Sequence, residues 1–388
     1  MRVFVHSNAH LASHHRLIEL LADEPGVDIL YMVRPDSGVP AVRHASADGH
    51  RAYEVRHWKQ WQWGRPGDPH RYGQWPPNFH LRKFIPDLIH CVHEQESLMT
   101  LEIALMRRLF APQGQLIIST WQNMLRPRRL SVRLLSWFTI RSAQHAFCAS
   151  TGAAEVLRAQ GFCGGITVTP LGGVDTRWMH PKAAPRLRTE LGLGSGRPVV
   201  GYVGRLSPEK GLDDLMRAIA LLYGGGSAQE HGPQLLLVGD GPARAALESL
   251  ARELNIAAQC RFVASVPAEQ VVEYMNLLDV FVLPSRTTAR WKEQFGRVLA
   301  EAMACRVPII GSTSGAIPEV LGDAGRIFRE ADPIDLASHL RALLVNEAER
   351  LALAERGYRR ALQEFTVEAL AARVLRAWHS LIDKKAPS

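Results

Sequence analysis

Short apolar, β-branched runs alternate along the chain with stretches of helical period, the pattern of parallel strands joined by crossover helices. In the first half the runs predict strands at Val3–His6, Asp28–Val33, Leu88–Val92, Leu116–Ser119, Ala146–Ala149 and Ile166–Thr169. Helical stretches such as Ser97–Phe110 and Thr151–Gln160 lie between them. A second series opens at Val199–Val203 and continues through Leu235–Val238, Arg261–Val263, Val280–Leu283 and Val307–Ile310. Two successive β-α series predict an α/β protein of two doubly wound, Rossmann-like domains, each sheet covered on both faces. The breaker-rich Thr169–Asp175 and Pro181–Pro185 mark the seam. The expected domains are therefore 1–171 and 172–365, with a carboxy-terminal helical segment 366–388 that packs back on the first. Ligands of open sheets sit at the carboxyl ends of the strands, so two such sheets are expected to face each other across a cleft.

The length, 388 residues and 43.1 kDa, suits two domains of ordinary size. No apolar run approaches the roughly 20 residues that span a bilayer. The chain opens on the strand-like Arg2–Val5, with no charged leader before an apolar stretch, so a cytoplasmic location is expected. Cys91, Cys148, Cys163, Cys260 and Cys305 are odd in number and scattered, and read as core residues in a reducing compartment. The sixteen histidines show no metal-binding spacing, so no metal is expected. The formal charge of +8 favours acidic partners without choosing among nucleotide phosphates, anionic lipid and nucleic acid.

Chemistry concentrates after Gly201. Gly204, Arg205 and Lys210 follow a strand, an arrangement suited to a diphosphate; a tight turn with solvated cations is the plainer reading. Gly239 and Gly241 flank Asp240 in a second strand-turn-helix, where close backbone approach would admit a ligand and Asp240 would serve equally as a helix N-cap. Glu293 and Glu301 bracket Phe295-Gly296 at the start of a helix whose free amides would attract an anion. Val298, Leu299, Ala302 and Met303 surround Glu301, so its carboxylate needs polar hydrogens to accept, as ribose hydroxyls would supply.

Taken in order, Gly-Arg-Leu-x-x-Glu-Lys-Gly, Val-Gly-Asp-Gly-Pro, Leu283-Pro284-Ser285, the Glu-x7-Glu pair and Ala316–Val320 resemble glycosyltransferase family 4. The resemblance is strong from Gly201 to Leu321 and looser in the first half. It implies the GT-B fold and a retaining transfer of sugar from a nucleotide-sugar donor, a UDP-sugar foremost, to a hydroxyl acceptor. A polysaccharide, its lipid-linked precursor or a small molecule would fill the acceptor role. It implies that Arg205 and Lys210 neutralise the departing diphosphate, that Glu293 positions the donor sugar and that Glu301 holds the ribose. Phe295, Gly296 and Val298 would reach the donor, with Gly204, Gly239, Gly241 and Val263 around the nucleotide. The family pattern offers no well-placed nucleophile, so front-face displacement is the expected route, with no cofactor beyond the donor as co-substrate. A nucleotide-sugar epimerase of the same architecture is the alternative reading.

The first half departs from the family pattern: the loop after its first strand lacks glycine and carries His14, His15 and Arg16. Acceptor candidates are His14, His93, Glu94 and Gln122. Gln122 can hydrogen-bond a sugar hydroxyl but cannot take a proton. Arg56–Phe79 gathers four tryptophans among basic residues and reads as a long loop. With Arg126–Arg129 it suits either the inner face of the cytoplasmic membrane, as a peripheral contact, or stacking on sugars; a solvated basic face with its rings packed inward is the third reading. Nucleic acid is not expected as a partner, since it gives Glu293 and Glu301 no task.

Overall fold

The computed structural model describes residues 1–7, 12–34, 43–45, 52–58, 60–62, 72–74, 79–194, 196–223 and 232–384. The chain divides into two compact units: 1–173 with 367–388, and 174–366.

The first unit is built on an eight-stranded sheet. In chain order its strands are β1 (Arg2–Ser7), β2 (Asp28–Val33), β3 (Arg43–Ala45), β4 (Ala52–His57), β7 (Leu88–Val92), β8 (Gln115–Thr120), β9 (His145–Cys148) and β10 (Gly165–Val168). A separate antiparallel pair, β5 (Gln60–Gln62) and β6 (Tyr72–Gln74), accounts for the missing numbers. The sheet order is β10-β9-β8-β7-β1-β2-β4-β3, parallel except for β3 against β4. Alternation along β1 sends Val3 and Val5 to one face and Phe4 to the other. The first face packs on the helices Ala12–Ala22 and Val367–Asp383, with Trp378 fully buried; the second packs on the helix Leu98–Phe110 around Ile89, Cys91 and Met99. Each face therefore has its own core, as a doubly wound sheet requires.

The second unit has a six-stranded, wholly parallel sheet. Its strands are β11 (Val199–Val203), β12 (Gln234–Val238), β13 (Cys260–Val263), β14 (Val280–Leu283), β15 (Ile309–Ser312) and β16 (Arg326–Phe328), in the order β13-β12-β11-β14-β15-β16. β11 lies between β12 and β14, so the strand order reverses beside it. The crevice outside the carboxyl ends of the strands at such a reversal is where open sheets bind ligands.

Cys163 is exposed, not a core residue like the other four cysteines, and two further expectations need correction. Arg56–Phe79 is not one long loop. Ala52–His57 is a strand paired to β2, and the Trp58 amide extends that pairing by donating to the Val33 carbonyl at 3.2 Å. The Trp58 ring is buried, the inward packing that the plainest reading gives; Trp63 and Trp75 lie outside the described residues. The last strand of the second series is Ile309–Ser312, not Val307–Ile310, because Pro308 has no N–H for a ladder and the strand begins after it. Among the described residues no helix is long and apolar enough to cross a membrane.

Candidate active site

In the second unit, the turn after β11 meets the turn after β12 on one side, and on the other Lys210 joins it to the end of β14 and to Glu293 in the loop before the helix Arg297–Ala304. The turn after β11 starts at Gly204, whose φ of +149° only glycine adopts readily. Tyr202 lies buried beneath and donates its hydroxyl to the Arg205 carbonyl at 3.0 Å. Gly204 also touches the neighbouring turn: a Cβ on Gly239 would stand 1.9 Å from the Gly204 carbonyl oxygen, and one on Gly241 2.3 Å from that of Leu206. Backbone hydrogen bonds from Gly204 to Val238 (2.9 Å) and from Leu206 to Asp240 (2.9 Å) close the seam. The glycines at 239 and 241 thus admit the adjoining turn, where the sequence suggested a ligand. Asp240 does not cap a helix with its side chain. Its carboxylate accepts the Gly241 amide at 2.8 Å, and the helix Arg244–Glu253 starts three residues beyond Gly241. Val263, at the end of β13, gives its carbonyl to the Gly239 amide at 3.0 Å.

The Lys210 turn is a single 3₁₀ turn, Pro208–Lys210, ended by Gly211 at φ +63°. A Cβ on Gly211 would meet the Pro284 carbonyl at 2.1 Å, so this turn is pressed onto the end of β14. Arg286 locks the two together. Its amide donates to the Glu209 carbonyl at 2.9 Å, and its guanidinium grips Asp213 (2.8 Å) and Asp214 at the start of the helix Leu212–Tyr223. Burial acts to raise the Glu209 carboxyl, but the Ser207 hydroxyl, its own amide, Lys210 and Arg205 together hold it below the usual carboxylate range.

Glu293 is buried, and one oxygen accepts both the Lys210 ammonium (2.7 Å) and the Ser285 hydroxyl (2.8 Å). The Lys210 nitrogen also sits 4.6 Å from the Trp291 ring centroid. A buried carboxylate with these partners is a satisfied anion. Behind it, the Glu293 carbonyl accepts the Ala316 amide at 3.0 Å, and a Cβ at Gly315 would lie 2.0 Å from that carbonyl. Arg205 is exposed, and among the described residues it makes no ion pair. Gly296 caps the helix Arg297–Ala304 at φ +75°, Val298 lies in its first turn, and Phe295 packs edge-on against Phe365 at 5.6 Å. Glu301 pairs with Arg297 at 2.8 Å. The sequence reading missed that partner, although the i,i+4 spacing announces it. Ser285 stood within a quoted motif, while Trp291 and Gly315 carried no signal that spacing alone would single out.

The four candidates of the first unit occupy a different setting. His93, just past β7, and His6 of β1 share a 2.8 Å hydrogen bond between ring nitrogens, both buried. Burial, and then His6, hold His93 well below the usual imidazole range. Glu94 accepts the Thr120 hydroxyl (2.6 Å) and the Trp121 amide (2.8 Å), while burial raises its carboxyl. Gln122 is committed at both ends: its oxygen accepts from Gln95 at 3.0 Å, and its amide donates to the Met124 carbonyl at 3.2 Å. His14 lies on the helix Ala12–Ala22, its ring against Gly172.

Residues 184–360 match the family described as glycosyl transferases group 1. Solved structures align over nearly the whole chain. A sucrose-phosphate synthase from Thermosynechococcus elongatus superposes with a TM-score of 0.71 at 21% identity, covering 99% of this chain and 100% of that one. HepE of Anabaena in complex with UDP gives 0.70 at 18%, covering 98% and 99%. WaaG, a glycosyltransferase of lipopolysaccharide biosynthesis, gives 0.64 at 15%, covering 96% and 98%. The fold is GT-B. Among curated relatives, this GT-B chain is 33% identical over 208 residues to the GDP-mannose-dependent alpha-(1-6)-phosphatidylinositol monomannoside mannosyltransferase of Mycolicibacterium smegmatis, covering 52% of the chain and 53% of the relative. It is 33% identical over 202 residues to the D-inositol 3-phosphate glycosyltransferase of Corynebacterium jeikeium, covering 49% and 46%. The chain spans about half the length of the curated relatives it matches.

Proposed function

We propose that this chain is a retaining glycosyltransferase of family 4 that moves a sugar from a nucleoside-diphosphate sugar to a hydroxyl acceptor. The observation that carries the reading is the pairing of Lys210 with the buried Glu293 beside the exposed Arg205, at the point where the strand order of the second sheet reverses. Breaking a sugar–phosphate bond concentrates negative charge on the departing phosphate, and cations fixed nearby stabilise that state more than the bound donor. Arg205 and Lys210 perform this task, Lys210 exchanging part of its contact with Glu293 for phosphate. Glu293 then orients sugar hydroxyls, and Glu301 accepts from ribose beside Arg297. Phe295, Gly296 and Val298 lie at the donor, and the interlocked turns at Gly204, Gly239 and Gly241 shape the floor beneath the nucleotide, with Val263 near the base. The leaving phosphate takes the acceptor proton, so no protein base and no metal enter the step. His14, His93, Glu94 and Gln122 are the acceptor-side groups. The acceptor is a polysaccharide, a lipid-linked precursor or a small molecule met in the cytoplasm; relatives are named for inositol phosphate and phosphatidylinositol monomannoside substrates.

Relatives and structural neighbours are named for both GDP-mannose and UDP-glucose, and the reading favours UDP. Calorimetry and donor hydrolysis across UDP-, GDP- and ADP-sugars test it. Binding of one class, weakened by Glu301→Ala, is expected. Absence of binding to all three by folded protein overturns the reading, and turnover of the donor to an isomer without any acceptor would favour the epimerase.

A further inference from the structure

The helix Leu130–Ser142 in the first unit is turned inside out. Its buried face carries Ser136 and Thr139 beside Ile140, and the Thr139 hydroxyl donates to the buried Gln95 carbonyl. Its outer face carries Leu130, Leu134 and Trp137, which are 68%, 59% and 54% exposed. Leu130, Leu134, Trp137 and Arg141 follow one another at helical spacing and so form one stripe. The Arg141 guanidinium lies 4.9 Å from the Trp137 ring centroid, and Arg133 is exposed next to the stripe. The segment leading into the helix adds exposed Leu125, Arg126 and Arg129.

The charge of this region is one-sided. Between Glu102 and Glu155 the sequence contains no aspartate or glutamate, yet it carries Arg107, Arg108, Arg126, Arg128, Arg129, Arg133 and Arg141. Arg107 and Arg128 turn inward, toward the Gly114 carbonyl and Glu96 respectively, while the other five are exposed.

We infer that this face docks on a bilayer surface bearing anionic lipid headgroups. Leucine and tryptophan side chains enter the boundary between headgroups and acyl chains, while arginines spread around them meet the negative surface. A nucleic acid would use the arginines and leave Leu130, Leu134 and Trp137 in water. A neutral protein surface would cover the stripe and offer no opposite charge to the exposed Arg129, Arg133 and Arg141 around it. The bilayer accommodates both halves of the pattern. The contact lies on residues 125–141, which take in the Arg126–Arg129 that the sequence joined to the tryptophan-rich segment; most of that segment lies outside the described residues. It is independent of the proposed sugar transfer.

Vesicle flotation of the full chain tests the inference. Binding is expected to mixed phosphatidylcholine–phosphatidylglycerol vesicles, to be far weaker with phosphatidylcholine alone, and to fall with salt. The double variants Leu134→Glu/Trp137→Glu and Arg129→Glu/Arg133→Glu should each weaken it by about tenfold or more. Leu130→Gln should act in the same direction, and Ile334→Glu, at an exposed apolar residue of the second unit, should leave binding unchanged. Thermal melts establish that each variant is folded. Equal binding to neutral and mixed vesicles, or binding that survives Leu134→Glu/Trp137→Glu, overturns the inference. So does an RNA that binds wild type and Leu134→Glu/Trp137→Glu alike and competes vesicles away.

Discussion

The two sheets end in different chemistry. At the carboxyl ends of the second sheet stand ionised groups: Arg205 in solvent, and Lys210 and Arg286 held by Glu293 and the Asp213–Asp214 pair. At the corresponding ends of the first sheet stand closely hydrogen-bonded groups: His6 bonded to His93, Gln95 donating to both Gln122 and Gln160, Glu94 accepting from Thr120 and Trp121, and Glu96 facing Arg128. Two sheets of one architecture thus offer cations, one of them exposed, in one unit and an interbonded set of imidazole, amide and carboxyl groups in the other. On the proposed function the first set would meet a phosphorylated ligand and the second hydroxyls, for which it holds both donors and acceptors.

This contrast breaks most readily at Lys210. Lys210→Ala should lower kcat/KM about 10²–10³-fold in a donor-release assay, whereas Gln122→Ala should change turnover by a much smaller factor and act mainly on acceptor KM. Equal losses at both positions would erase the distinction between the two sites. The next effect is structural. Gly239→Ala forces a Cβ into the Gly204 carbonyl at φ +137° and should destabilise the second unit by about 3 kcal/mol, read by thermal melting.

Acid should weaken the first unit selectively. Burial, and after it the nearby His145 and His14, push His90 down to about 3. The native imidazole therefore stays neutral while the unfolded chain takes a proton near 6.5. Its contribution is intact above about pH 6.5 and is lost as pH falls toward about 3, by about 1.4 kcal/mol per pH unit in that window. Hydrogen exchange at pH 5 and 7 should show β7 loosening more than β11, and His90→Asn should reduce that difference, with His93 and His145, which burial also lowers, supplying the rest. The smallest effect is Arg286→Ala, which leaves the buried Asp214 without its cation and should cost about 1–3 kcal/mol in chemical denaturation.

Most of the central strands were legible because strands buried on both faces read as unbroken apolar runs; Asp28–Val33, Leu88–Val92, Val199–Val203 and Val280–Leu283 appear at the expected residues. Ala52–His57 escaped notice because Glu54 and Arg56, which pair with each other, break its apolar run. At the site, residue identities were visible and partnerships were not. Glu293 and Lys210 are 83 positions apart, and only the closure of β11 beside β14 brings them to 2.7 Å. Glu301 shows the reverse case. Its partner Arg297 lay four residues away, yet apolar neighbours drew the reading toward a ligand instead. The inverted helix was hidden for another reason: Leu130, Leu134 and Trp137 look like core residues until the sheet is seen to turn them outward.

The seam between Gly204–Leu206 and Gly239–Gly241 bears on any effort to re-engineer nucleotide preference. The carbonyls of the first turn occupy the space that the missing side chains of Gly239 and Gly241 leave open, so a transplanted loop would arrive with the wrong mate. Grafts from a relative should carry both segments together, and chimaeras that exchange only one are expected to express poorly whichever donor they were meant to accept.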